Sequence, residues 1–193
     1  MIITKEICNQ LNDIELVQKV MTEIDYFSCI YERYEPKLLR YVKRITGVSN
    51  EEAEDILQEA FLKIWRNINS YDTDLKFSTW IYRIVHNETI SYWRKQSSFG
   101  KDHQIDLDEN FPEEFDSNSQ PGDSNKNVLT HEILELLPLK YKTILVLKFL
   151  EGMDYDEISD ILKIPPGTVA TRINRAKKAF SAISEQMHIS FFE

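Results

Sequence analysis

The residues best equipped for chemistry in this 193-residue chain stand near its C-terminus. There Thr171, Asn174, Arg175 and Lys178 recur within about two helical turns, with no acid among them. At 3.6 residues per turn, Val169, Ile173, Ala176 and Phe180 fall on one face and the four polar side chains fall opposite. Such forked or mobile donors suit nucleic acid: Arg fits a guanine edge, Asn an adenine edge, and Thr or Lys a base or a phosphate. A second set, Arg83, Asn87 and Arg94, places cations on either side of an amide at spacings of four and seven, around Ile81, Ile84 and Val85. A third row mixes acids with a leucine. Ala53, Ile56, Leu57, Ala60, Phe61, Ile64 and Ile68 form a buried stripe that leaves Asp55, Glu59, Leu62 and Arg66 outward, with Gln58 beside them.

Catalysis finds no comparable constellation. His86 and Glu88 are two residues apart, so on a helix they do not share a face, and no nucleophile or phosphate-loop motif accompanies them. The two cysteines, Cys8 and Cys29, have no CxxC or Cys/His ligand spacing, which predicts reduced, partly buried thiols and neither a metal site nor a cofactor. No apolar run reaches the roughly 18 to 20 residues of a membrane span. The N-terminus lacks the basic-then-apolar pattern of a signal peptide, so a cytoplasmic protein without membrane insertion is expected.

The formal charge of −9 argues at first against a polyphosphate partner, but its distribution reverses that impression. Between residues 102 and 125 stand eight acids (Asp102, Asp106, Asp108, Glu109, Glu113, Glu114, Asp116 and Asp123) and no Lys or Arg. Without them the chain would be nearly neutral. Residues 163 to 180 hold Lys163, Arg172, Arg175, Lys177 and Lys178 and no acid.

The elements that must position these rows are helical. Periodicity predicts an N-terminal lobe from about residue 10 to 97, with Pro36 kinking a helix over Asp25 to Ile45. Ser49 and Glu52 have capping-box spacing and open a helix from Glu51 to Ile68; after the polar break NSYDTDLK another helix spans Ser78 to Gln96. Residues 98–127 lack periodicity and are rich in Asp, Glu, Asn, Ser, Pro and Gly, as in an acidic flexible linker. From Val128 onward the helices VLTHEILELL, YKTILVLKFL (ended by Gly152), YDEISDIL (capped by Asp154 with Glu157) and GTVATRINRAKKAF follow. The last two, joined by KIPPG, have the layout of a helix-turn-helix. Pro165 and Pro166 are expected to stop the first helix, and Thr168 to cap the second. The fold class is all-α: two small helical domains, residues 1–97 and 128–193, joined by the linker 98–127.

At this point the residues carry a family resemblance. EISDILKIPPGTVATRINRAKKAF, extended upstream through LPLKYKTILVLKFLEGMDYDE, resembles the last conserved region of bacterial RNA polymerase sigma factors of the small, two-domain extracytoplasmic-function group. YERYEPKLLRYVKRITG, EEAEDILQEAFLKIWRN and KFSTWIYRIVHNETISYWRKQ are similar to successive parts of the other conserved domain, in the family's order. The resemblance implies that Asp55, Gln58, Glu59 and Leu62 dock on the coiled coil of the polymerase β′ clamp, and that the C-terminal domain meets the β flap. It implies that the loop Ser70 to Phe77 and the next helix handle the minus-10 element, through Asp72, Phe77, Trp80, Arg83, Asn87 and Arg94. A melted strand needs a cationic track and a pocket for an unstacked base, and Phe77 and Trp80 beside the polar loop are candidates for its walls. Most of Phe77, Trp80, Tyr82, Tyr92 and Trp93 are nonetheless expected in the core. For the minus-35 element it implies Thr168, Ala170, Thr171, Arg172, Asn174, Arg175 and Lys178.

By the same resemblance the acidic linker lies along the polymerase's basic RNA path, and an anti-sigma factor is a further partner. Ser91, Ala170 and Lys163 depart from the family's usual Asp, Lys or Arg, and Gly at those positions. Lys163 is therefore expected in strained left-handed geometry, at about 1–2 kcal/mol. The rival reading is a stand-alone operator-binding regulator, which would need an effector or dimerisation domain.

Overall fold

The computed structural model describes residues 3–98 and 124–187, and among them every regular element is helical. The chain divides into two compact units.

The first unit holds α1 (Lys5–Gln10), α2 (Asp13–Thr22), a 3₁₀ turn (Ile24–Tyr26), α3 (Phe27–Thr46), α4 (Asn50–Asn67), a second 3₁₀ turn (Ile68–Ser70) and α5 (Phe77–Ser98). The helices start and stop where local chemistry dictates. Ser49 accepts from the Glu52 amide at 3.2 Å while Glu52 accepts from the Ser49 amide at 3.0 Å, the predicted capping box, and that backbone bond holds the Glu52 carboxyl below its usual range. Asn12 and Glu15 cap α2 in the same reciprocal way. α3 ends at Gly47, whose φ of 69° permits the left-handed cap and an amide bond to the Lys43 carbonyl. It continues as one helix through Pro36, which is exposed. α3, α4 and α5 pack together around Leu38, Tyr41, Ala60, Ile64, Ile81 and Val85, and all seven members of the α4 apolar stripe are buried.

Two features of this unit differ from expectation. The lobe begins earlier, at α1, which is too short to show periodicity. Cys8 and Cys29 are not thiols: they form a disulfide, with their Cα atoms 5.1 Å apart, because α1 folds back on the start of α3. Residues 21 apart carry no spacing signal for such a pair.

The second unit is described from α6 (Ser124–Leu136) through α7 (Leu139–Leu145), a π turn (Val146–Leu150), α8 (Tyr155–Leu162) and α9 (Pro166–Gln186). α6 starts four residues inside the segment expected as linker. Most of that segment, residues 99–123 with all eight of its acids, lies outside the described residues. α7 and α6 pack on α9. Gly152, at φ 72°, turns the chain into α8, and Asp154 and Glu157 cap α8 through reciprocal 2.8 Å bonds.

The turn between α8 and α9 explains how a lysine occupies a glycine position. Lys163 is left-handed, at φ 53° and ψ 47°, with its amide bonded to the Ser159 carbonyl. Ser159 accepts the Ile164 amide as well, and its hydroxyl donates to the Ile164 carbonyl at 2.6 Å. Those bonds hold a conformation that costs an L-residue about 1–2 kcal/mol. Two expectations need correction. Pro166 does not stop α8 but opens α9, where a missing amide proton is harmless. Thr168 is not the N-cap: Pro165 holds that place, and Thr168 lies inside the first turn with its amide on the Pro165 carbonyl.

Candidate nucleic-acid interface

α9 presents its two faces as the sequence pattern requires. Val169, Ile173, Ala176 and Ala179 are buried, and Phe180 is half-buried at the end of the stripe. Thr168, Ala170, Thr171, Asn174 and Arg175 are exposed, while Arg172 and Lys178 are half-buried. Thr171 Oγ1 donates to the Gly167 carbonyl at 3.0 Å, which fixes its rotamer and leaves its lone pairs outward. Lys177 is committed elsewhere, its ammonium lying 5.2 Å from the centre of the Phe149 ring. The face therefore offers two forked groups, the Asn174 amide and the Arg175 guanidinium, on consecutive positions of a rigid helix.

The first unit carries two further faces. On α4, Asp55, Gln58, Glu59, Leu62 and Arg66 are all exposed. Sequence reasoning missed their neighbour Trp65, which is 44% exposed and follows Leu62 by three positions on the same side of the helix. The spacing alone would have found it. Trp65 and Arg66 border a groove of about 520 Å³ lined also by Val20, Met21, Ile24 and Ile68.

On α5, Asn87 and Arg94 are exposed and Arg83 is half-buried. The side chains beside them are tied to neighbouring helices. Glu88 pairs with Lys63 of α4, the Tyr92 hydroxyl donates to Glu52 at 2.9 Å, and His86 Nδ1 lies 2.9 Å from the Tyr41 hydroxyl of α3. Burial, with a smaller push from Arg94, lowers the His86 pKa to about 4, so the ring is neutral at pH 7.

The loop before α5 is shaped by its own polar groups: Asp72 accepts from the Asp74 amide at 3.0 Å, and the Tyr71 hydroxyl donates to the Leu75 carbonyl. Asp72 is exposed, but Phe77 and Trp80 are not. At 3% and 6% exposure they are covered, stacked on each other at 5.7 Å and packed against Tyr71. They do not wall an open pocket as expected, because each ring's apolar surface is taken up by the other two. Tyr82 is likewise buried against Tyr41, and Tyr92 and Trp93 are half-buried.

Comparison with known proteins places the chain in a family. The Sigma-70 region 2 family model matches residues 30–99, and the Sigma-70 region 4 model matches residues 128–180. The chain is 39% identical over 167 residues to the ECF RNA polymerase sigma factor SigW of Bacillus subtilis, a match covering 80% of this chain and 87% of that one. It is 32% identical over 181 residues to the ECF RNA polymerase sigma-E factor of Escherichia coli K12, covering 88% and 93%. Among solved structures, CnrH in complex with the cytosolic domain of CnrY shares the fold at a TM-score of 0.65 and 20% identity, over 89% of this chain and 96% of that one. The sigma factor RpoE bound to the anti-sigma factor NepR, from Bartonella quintana, does so at 0.62 and 21%, over 82% and 96%.

Proposed function

The chain belongs to the ECF family of RNA polymerase sigma factors, and on that premise we propose how its surfaces divide the work of promoter-specific initiation. The first domain, residues 1–97, docks on the β′ clamp coiled coil through Asp55, Gln58, Glu59 and Leu62. It handles the minus-10 element through Asp72, Arg83, Asn87 and Arg94. Phe77 and Trp80 act from beneath, as the packed base on which the loop rests. The last domain, residues 128–193, meets the β flap and reads the minus-35 element through α9. Thr171, Asn174 and Arg175 read bases there, and Thr168, Arg172 and Lys178 lie along phosphates; Ala170 leaves room for the groove wall. Residues 98–127 are the acidic linker.

The observation that carries this reading is the pairing of an acid-and-leucine docking row on α4 with a separate exposed donor face on α9. An operator-binding regulator needs only the second. The protein performs no catalysis of its own in this scheme, uses no cofactor and works in the cytoplasm. Among the described residues no helix is long and apolar enough to cross a membrane. An anti-sigma factor is a further partner, supported by the two structural neighbours captured with such proteins.

The test is run-off transcription with core polymerase, comparing wild type with the charge-reversed Asp55→Lys/Glu59→Lys protein. Both positions are exposed, so stability should change by no more than about 0.5 kcal/mol. Loss of core binding and of transcript with helical content intact supports the docking assignment. Equal core affinity overturns it.

A further inference from the structure

Resting on the sigma-factor reading above, we propose that Cys8 and Cys29 form a reversible redox latch whose closed form steadies the loop that handles the minus-10 element. α1 is only six residues long, and its N-cap Thr4 makes no side-chain bond to it. A helix of that length does not stand alone in water. Among the described residues, the covalent and side-chain polar ties that place it are the disulfide to α3 and Arg33, whose Nη2 donates to the carbonyls of Cys8 and of the following Leu11 at 2.6 Å each.

From Arg33 a contiguous set of contacts leads to the loop. Its Nη1 donates to Asp13 Oδ1 at 2.7 Å, and the Tyr34 hydroxyl donates to the other oxygen of that carboxylate at 2.5 Å. Burial and the Asp13 carboxylate both raise the Tyr34 pKa, so this donor keeps its proton. The Tyr34 ring meets Phe77 edge-on at 5.8 Å, and Phe77 packs at 5.1 Å on Tyr71, the residue that opens the loop. With the disulfide closed, Arg33 holds α1 and Asp13 together, and Asp13 holds Tyr34 under Phe77. With it open, α1 is released, Arg33 loses its two carbonyl acceptors, and the aromatic base under the loop loosens.

The chemistry is thiol–disulfide exchange with a low-molecular-weight disulfide, RSSR. The Cys29 thiolate, on the first turn of the 20-residue α3, attacks one sulfur and expels RS⁻, which takes up a proton. The Cys8 thiolate then attacks the Cys29 sulfur of the mixed disulfide and expels a second RS⁻, which takes up a proton. The cysteine pair gives up two electrons and two protons, and RSSR gains them. Reduction by a thiol runs the same steps backward. Both sulfurs lie in buried residues, so exchange proceeds through opening of α1, the least supported helix of the unit.

The experiment uses full-length protein, oxidised with glutathione disulfide or reduced with dithiothreitol, freed of reagent and then assembled with core polymerase. Alkylation and mass measurement count the free thiols. Permanganate reactivity of unpaired thymines reports minus-10 opening, and band-shift competition reports minus-35 binding. Oxidised wild type should block both thiols and open the minus-10 element at least about threefold faster than reduced wild type, with minus-35 competition unchanged. The Cys8→Ser/Cys29→Ser protein should behave like the reduced form under both treatments. Two free thiols after oxidation, or equal opening rates for oxidised and reduced wild type, would overturn the latch. Failure of every form to initiate at any promoter would instead count against the sigma-factor reading.

Discussion

On α9 the exposed side chains of Asn174 and Arg175 stand over a plain apolar seam, and among the described residues no side-chain hydrogen bond engages either of them. On α5 Asn87 sits between His86, paired with Tyr41, and Glu88, paired with Lys63, while the loop before α5 rests on the packed rings of Tyr71, Phe77 and Trp80. The contrast matches the two states of DNA that the proposed division of promoter reading assigns to these faces. An intact duplex already has a fixed groove, so a rigid rod with free donors suffices to read it. An opened strand has no fixed shape, and the protein must supply the order through a surface held from below and from both sides. Substitutions among the packed side chains beneath and beside the α5 face should accordingly act through stability, and substitutions on the exposed α9 face through selectivity.

The largest expected effect sharpens that contrast. Trp80→Ala removes a covered ring that packs on two neighbouring rings and should cost about 3–5 kcal/mol of stability in chemical denaturation. A loss under about 1 kcal/mol would mean the aromatic base is not a structural support. Next comes pH. The folded state keeps His86 neutral down to about pH 4, whereas the unfolded ring takes up its proton near 6.5. Its contribution is therefore full above about pH 6.5 and is lost as pH falls toward 4, at most about 3 kcal/mol. His86→Gln should flatten that limb of the stability–pH curve, and an unchanged slope would show that the ring is not held neutral.

Smaller still is the effect on α9. Arg175→Ala should cost about 1–3 kcal/mol of binding at one minus-35 position with stability nearly unchanged. Lys178→Ala should weaken all promoters alike and flatten the salt dependence. Competition binding with single-base promoter variants distinguishes the two patterns.

How much of this was legible in the sequence follows from the range of the forces involved. The capping boxes at Ser49 and Asp154 and the stripes of α4 and α9 depend on neighbours within about one turn, so spacing revealed them. Left-handed Lys163 was expected through the family resemblance instead, from the glycine usual at its place in the turn. What spacing does not carry is tertiary. The Cys8–Cys29 bond, the cross-helix pairs of Glu88 and Tyr92, and the packing of Phe77 and Trp80 on Tyr71 all join residues on different elements. Pro166 shows the limit within a local signal. A proline pair both ends one helix and suits the first turn of the next, and only the backbone distinguishes the two roles.

The division of promoter reading between the two units is tested most directly by base-by-base promoter competition with two holoenzymes, one carrying Asn87→Ala and the other Arg175→Ala. The account predicts that the first alters preference only within the minus-10 element and the second only within the minus-35 element. A shift at minus-35 from Asn87→Ala, or at minus-10 from Arg175→Ala, with the other element unaffected, would contradict it.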